Sequence, residues 1–320
     1  MKKIALLVSL GLCFGISMSS SANLQYPSVT ANNHYATTRY PIVFVHGMFG
    51  FTRLGTSSFG MDYFYQVLPD LARNGANVFA TQLSPLESTE VRGEQLLQQI
   101  EEVRAITGQD KVNLIGHSHG GPTIRYIEIV KPEYVASLTG VGGTFRGSKV
   151  ADTVLSSNPL HSVMNLVGNH ILSPTIQWAE GNSNLPISTT RSLQSISQAG
   201  SAEFNRKYPS AALAASCAQN GAGYNNGIYY YSWTGTGQIT NPLDVTDSAI
   251  ASIGPLVYLN RDNDGLVDRC STHFGKVIRD NYNYSHLDEI NQILGMRSIF
   301  SPDPVALYRQ HANRLKLQGL

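Results

Sequence analysis

Along this chain, short apolar runs alternate with longer stretches of helical period. Tyr40-Pro41-Ile42-Val43-Phe44-Val45, Ala76-Asn77-Val78-Phe79-Ala80-Thr81, Lys111-Val112-Asn113-Leu114-Ile115 and Leu256-Val257-Tyr258-Leu259 have strand length. Such runs suit strands buried on both faces of a parallel sheet. Residues 62–72 read as a helix. Over 91–107 the apolar positions Leu96, Leu97, Ile100, Val103 and Ile106 recur at about 3.6, while Glu94, Gln98, Glu101 and Glu102 fill the opposite face. The alternation predicts an α/β fold, with a mostly parallel sheet covered by helices on both faces. The rhythm fails over about 150–195. There Leu160, Val163, Met164, Val167 and Ile171 recur beside Ser162, Asn165, Gly168 and Asn169, an amphipathic helix with few charges. A charged helical tail over 305–316 closes the chain.

With 320 residues, 42% of them hydrophobic and 14% charged, the chain can bury one large core and reads as a single domain. Residues 1–22 are a separate unit: Met1-Lys2-Lys3, an apolar stretch over 4–16, then Ser20-Ser21-Ala22 at a cleavage site of small residues. This is the pattern of a secretory signal peptide, too short for a permanent membrane anchor, and it predicts an extracellular protein reached through the periplasm. Without Lys2 and Lys3 the balance is 21 basic to 22 acidic residues with no basic run, which argues against a nucleic-acid partner. Cys13 leaves with the leader, and the remaining pair, Cys217 and Cys270, suggests one disulfide. On the chain-entropy model that loop closure is worth about 4 kcal/mol.

The candidate chemistry sits where apolar runs end. Lys111 to Ile115 runs into Gly116-His117-Ser118-His119-Gly120, a Gly-x-Ser-x-Gly turn, and Pro122 follows in the first helical turn. Strand before and helix after are the context of a nucleophile elbow, which presents the Ser118 hydroxyl at the top of a sheet. The first run ends in His46-Gly47-Met48-Phe49-Gly50, where a loop is expected to donate the backbone N–H of Met48 to an oxyanion hole, with the amide of His119 as second donor. A serine of this kind needs a base, and the base an orienting acid, in the chain order Ser, Asp or Glu, His. Asp262 and Asp264 compete in Asn260-Arg261-Asp262-Asn263-Asp264-Gly265-Leu266-Val267. An EF-hand reading of that loop fails because Ser271 stands at its twelfth position. Among the late histidines, His273 lies beside Cys270 and His311 in the helical tail, which leaves His286 as the base.

Taken together, Val91-Arg92-Gly93-Glu94-Gln95-Leu96-Leu97-Gln98-Gln99, the Gly116 to Gly120 elbow, Ile278-Arg279-Asp280-Asn281-Tyr282, His286-Leu287-Asp288-Glu289 and Tyr308-Arg309-Gln310-His311-Ala312-Asn313-Arg314 resemble the secreted true lipases of the Pseudomonas type over about 40–316. The resemblance implies an α/β-hydrolase fold, hydrolysis of triacylglycerols at an oil–water interface, one structural calcium ion and a lid at about 150–180. It also implies help during export from a lipase-specific foldase. By the same match Asp264, in Asn-Asp-Gly-Leu-Val, becomes the acid, and Asp244, Asp288, the Gln292 side chain and the Met296 carbonyl become calcium ligands, an all-oxygen set suited to that cation. One departure stands out: where the family commonly has Gly-Ala-Pro-His, this chain has Val141-Gly142-Gly143-Thr144-Phe145, so this wall of the cleft is expected to differ. A carboxylesterase for soluble short-chain esters is the nearest competing activity, and a catalytically dead binding protein the more distant one.

Overall fold

The computed structural model describes residues 24–55, 60–181, 184–217 and 219–320, so the predicted leader at 1–22 lies outside the described residues. In chain order the elements are β1 (Ile42–Val45), β2 (Arg53–Gly55), β3 (Gly60–Asp62), α1 (Val67–Arg73), β4 (Val78–Ala80), α2 (Thr89–Thr107), β5 (Val112–His117), α3 (Gly120–Val130) and β6 (Val135–Val141). Then come α4 (Lys149–Ser156), α5 (Asn158–Val167), α6 (Ser173–Ala179), α7 (Thr189–Ile196), α8 (Gln198–Lys207), β7 (Tyr224–Asn225), β8 (Ile228–Gly235), α9 (Val245–Tyr258), β9 (Lys276–Tyr282) and α10 (Pro304–Leu317).

A seven-stranded sheet runs β4-β1-β5-β6-β8, with β7 and β9 both on β8. Every pairing in it is parallel except that of the short β7. Its central strands β1, β5 and β6 are buried along their whole length, as continuous apolar runs require. One core layer packs Leu96, Ile100 and Val103 of α2 and Ile124 and Ile127 of α3 on one face. The other packs α1 and α10, through Val67, Leu71, Tyr308 and Ala312, on the opposite face. The predicted α/β architecture is therefore present. From β1 the chain crosses to β4 on one side, then returns to β5 on the other, so the carboxyl ends of β1 and β5 lie side by side at a reversal of strand order. Ligands of doubly wound sheets bind at such a point.

Two local expectations fail. The run Leu256-Val257-Tyr258-Leu259 is the end of helix α9, with Leu256 81% and Leu259 77% exposed, and the sheet positions fall instead to β8 and β9. A four-residue apolar run carries no period long enough to separate strand from helix end, and Asp244, whose side chain accepts from the Thr246 amide, caps a helix that already spans it. Residues 62–72 split: Asp62 ends strand β3, and α1 begins only at Val67. Cys217 and Cys270 form a disulfide with Cα atoms 5.3 Å apart.

Candidate active site

Ser118 occupies the corner between β5 and α3 at φ 56°, a left-handed conformation that costs a non-glycine residue of order 1–3 kcal/mol. Its surroundings enforce the corner. The Ser118 amide donates to the Val141 carbonyl at 3.0 Å, and its own carbonyl accepts from the amides of Gly121 and Thr144. A Cβ on Gly116 would lie 2.3 Å from the Gly120 carbonyl oxygen, and one on Gly120 would lie 2.3 Å from that of Val45. Both glycines are thus demanded by the approach of helix to strand.

The 46–50 loop leaves β1 directly over this corner, since a Cβ on Gly47 would lie 2.7 Å from Ser118 Cβ. Met48 packs against Ala151, Leu193 and Ile196 and lines the same cavity as Ser118. His119 stands at the N-cap of α3, where amides point out of the helix, and its ring is fully buried between Thr89 Oγ1 at 2.9 Å and Ser192 Oγ at 3.4 Å. One residue quoted only as part of a motif holds this loop: Arg92, fully buried in α2, donates to the carbonyls of His46 and Ser84 and, at 3.4 Å, to Thr123 Oγ1. The signal was present in the sequence, because Arg92 precedes Leu96 by four residues and so puts a charge on the apolar face of α2. Burial and the neighbouring Arg92 push His46 down to about 3, so its ring stays neutral beside the loop.

On the other side, the loop after α9 turns back through a bridge between Asn263 and Asp268 and buries Asp264. Its Oδ1 accepts from the amides of Leu266 and Val267 at 2.9 and 2.8 Å, and its Oδ2 accepts from His286 Nδ1 at 2.7 Å. Asp262 points away, exposed and paired with Arg269. His286 lies on the loop following β9. Burial pulls its pKa down, but the Asp264 charge and hydrogen bond, with Glu289 behind them, outweigh this and hold it above the ordinary 6.5. His273 pairs with Asp280, and His311 is buried against Thr139, both away from Ser118.

Ser118 and His286 face one cavity of about 480 Å³, walled by Met48, Phe51, Val154, Met164, Leu193, Ile253 and Ile293 among others. In the departing segment, Thr144 reaches this cavity. Phe145 instead turns into the core, its ring stacked on Phe274 at 4.4 Å and standing where a Cβ on Gly140 or Gly143 would go. Gly142, at φ 52°, leaves room for the buried Glu289 carboxylate, which accepts from Thr234 Oγ1 and the Gly235 amide. Burial, and then the charge of Asp264, hold the Glu289 carboxyl above its usual range.

The predicted calcium ligands form a second cluster beside the His286 loop. Asp288 Oδ2 accepts from the Ser285 amide and Thr240 Oγ1, Asp244 Oδ2 faces the Ile293 amide at 3.5 Å, and Gln292 donates through Nε2 to the Asp62 carbonyl at 2.6 Å. Asp247, not singled out in the sequence, joins them by accepting from Thr240 and Asn241. Three oxygens of these groups, Asp247 Oδ1, Asp288 Oδ1 and Gln292 Oε1, are buried with no hydrogen-bond partner. Burial raises Asp288 to about 6, and the charges of Asp247 and Asp244 add to it.

Over 149–179 run α4, α5, a π turn (Gly168–Leu172) and α6, of which α4 and α5 reach the cavity through Ala151, Val154 and Met164. Met164 faces inward, while Leu160, Val163, Leu166 and Trp178 are exposed. Polar ties hold both flanks of this segment: Thr190 Oγ1 to Asn165, the Thr189 amide to Asn169, and the half-buried Glu180, whose carboxylate accepts from the Thr52 amide and hydroxyl.

Residues 40–273 match the α/β-hydrolase fold family. The chain is 48% identical to a triacylglycerol lipase of Vibrio cholerae over the full length of both chains. It is 38% identical to triacylglycerol lipases of Burkholderia plantarii (96% of this chain, 92% of the relative) and Pseudomonas fragi (88% and 98%). This chain belongs to the triacylglycerol lipase family of α/β-hydrolases. Solved structures agree in fold: lipase BlEst2 of Bacillus licheniformis superposes with TM-score 0.62 at 17% identity, covering 92% of this chain and 98% of that one. The lipase of Staphylococcus hyicus gives 0.61 at 17% identity, with 92% and 99% covered.

Proposed function

We propose that this protein hydrolyses the ester bonds of long-chain acylglycerols at a lipid–water interface through an acyl-enzyme. The observation that carries the reading is the meeting, in one apolar cavity, of a serine in left-handed backbone and a histidine clasped by a buried aspartate. Ser118 attacks the ester carbonyl while His286 takes its proton, and His286 then returns that proton to the leaving alcohol. Asp264 holds the imidazole with its proton on Nδ1 and stabilises the imidazolium. The amides of Met48 and His119 receive the negative charge of the tetrahedral intermediate. Water, activated by His286 in turn, releases the fatty acid and restores Ser118. The apolar cavity walls suit acyl chains.

The 150–180 segment acts as a lid: exposed Leu160, Val163, Leu166 and Trp178 give it a surface that an oil phase would cover. Calcium fits the second cluster, because its donors are all oxygen and three of them, Asp247 Oδ1, Asp288 Oδ1 and Gln292 Oε1, lack any partner. Asp244, Asp288, Gln292 and the Met296 carbonyl would hold it, and its role is structural, bracing the loop that carries His286. The 1–22 leader and the Cys217–Cys270 disulfide support export into an oxidising compartment, and no helix among the described residues is long and apolar enough to cross a membrane. Dependence on a foldase rests on the resemblance of sequence alone.

The deciding experiment is tributyrin hydrolysis across its solubility limit in calcium buffer, with Ser118→Ala as control. A steep rise at the limit that disappears in the mutant is expected. Saturation below the limit with no rise would make the protein a carboxylesterase, and no hydrolysis by folded protein would leave a binding role.

A further inference from the structure

A buried chain of hydrogen bonds that the catalytic steps do not use joins the oxyanion loop to the residue that carries the base. It begins at the Gly47 amide, 3.0 Å from the Tyr63 hydroxyl. That hydroxyl lies 2.7 Å from His117 Nδ1, and His117 Nε2 lies 3.1 Å from the carbonyl oxygen of His286. The three side-chain links are fixed in direction by their ends. An amide can only donate and a carbonyl can only accept, so Tyr63 accepts from Gly47 and donates to Nδ1, and the single imidazole proton of neutral His117 sits on Nε2. The Tyr63 hydroxyl thus accepts once and donates once, and the Nε2 proton of His117 points to the His286 carbonyl, with Glu289 Oε2 farther off at 3.5 Å.

The peptide of His286 is gripped on both sides. Its N–H donates to the Asp264 carbonyl at 2.9 Å, and its C=O receives His117. The His117 ring also lies on the His286 ring, with centroids 4.5 Å apart. At the other end, Gly47 passes so close to Ser118 that its path sets where the next amide, that of Met48, stands over the serine.

We infer that Tyr63 and His117 are positioning residues for acyl transfer: acting through Gly47 and His286, they hold the oxyanion loop and the base loop in register across Ser118. This rests on the reading of Ser118 and His286 given above. Shifts of about 1 Å in such groups are enough to cost up to 10²-fold in rate, whereas the packing of Tyr63 against Phe51 and Phe64 needs only its ring.

The test uses Tyr63→Phe, His117→Leu, their double mutant, and His117→Gln, whose amide nitrogen reaches the place of Nε2. kcat and KM are measured on a soluble p-nitrophenyl ester, with cooperative melting as the check of folding. Each single change is expected to lower kcat about tenfold with KM within about twofold, and the double mutant to fall no more than about twofold below the worse single, because either change breaks the same chain. His117→Gln restores the donor to the His286 carbonyl but not the acceptor for Tyr63, so it should recover only part of the loss. A kcat for folded Tyr63→Phe within about twofold of wild type would overturn the inference, as would multiplicative losses in the double mutant. If His117→Leu does not fold, Tyr63→Phe, which keeps the ring, decides alone. Wild-type protein whose Ser118 fails to react with a fluorophosphonate would sink the reading of the site itself, a different result from a variant that reacts slowly.

Discussion

Asp264 and His286 hold each other twice: Oδ2 accepts from the imidazole Nδ1 at 2.7 Å, and the Asp264 carbonyl accepts from the His286 amide at 2.9 Å. The first bond is charge-assisted and sets the tautomer; the second places the ring. In Asp264→Asn the peptide contact survives while the charge is lost, so the ring stays near Ser118 in the wrong electrostatic setting. Loss of kcat by about 10²- to 10⁴-fold is expected.

The same pair determines the acid side of the pH profile. A base works only when neutral, and the pKa of His286 stands above its ordinary 6.5 because of Asp264. Activity in kcat/KM should therefore fall as pH drops through a midpoint above 6.5, and in Asp264→Asn, where burial acts unopposed by that charge, the midpoint should move to lower pH. A midpoint that stays put in the mutant would mean that another group titrates.

Arg92 touches neither serine nor base, yet its guanidinium ties the His46 carbonyl, at the root of the 46–50 loop proposed to carry an oxyanion donor, to the Ser84 carbonyl in the segment after β4. Arg92→Met keeps much of the volume and removes the donors. Because deleting one oxyanion donor outright costs about 10²- to 10³-fold, loosening the loop should cost about tenfold or more in kcat with KM nearly unchanged. Steady-state kinetics on a soluble ester separate the two parameters. Equal rates in mutant and wild type would remove Arg92 from the loop's support.

Gly142 is a steric prediction. A Cβ there would lie 2.0 Å from Glu289 Oε2, on a residue already at φ 52°. Since Glu289 is fully enclosed, with Thr234 and Gly235 holding its other oxygen, it cannot swing aside. Gly142→Ala should destabilise the fold by at least about 1–3 kcal/mol, read as a lower denaturation midpoint in urea.

For calcium, the prediction is a pH-dependent loss on chelation. Asp288 has its pKa raised from 3.8 to about 6 in the metal-free fold, so the fold favours its protonated form, and that preference is lost as pH rises through about 6. Above that pH the metal-free cluster carries unrelieved negative charge, while calcium, which competes with the proton, binds best. Chelator should therefore lower the melting temperature more at pH 8 than at pH 5, with Asp288→Asn narrowing the difference. An identical shift at both pH values would argue against a cation among Asp244, Asp288 and Gln292.

Much of the fold was legible because buried parallel strands leave continuous apolar runs, and the helix over 89–107 leaves its 3.6 period. Less legible was Ile228–Gly235, whose Tyr-Tyr-Tyr-Ser-Trp core is rich in strand-favouring aromatics but lacks a simple apolar run, while Leu256 to Leu259 offered one in the wrong place. Exposure separates the two: Tyr230, Tyr231 and Trp233 are buried in the sheet, whereas Leu256 and Leu259 face outward from the end of α9.

By itself the sequence determined the elbow at Ser118, because the glycines at 116 and 120 and the strand-to-helix switch act within a few residues and follow from local backbone sterics. It also determined the cysteine pair and the order of the candidate catalytic residues. The match of Asn-Asp-Gly-Leu-Val had already singled out Asp264 over Asp262, and its carboxylate does turn inward to His286; only the tertiary structure decided that Arg92 supports a loop 46 residues earlier. The same holds for the chain through Tyr63 and His117 to a carbonyl 169 residues away. Local periodicity records which face of an element is buried. Which side chains then meet depends on strand order and loop paths, and these are set by the packing of the whole chain.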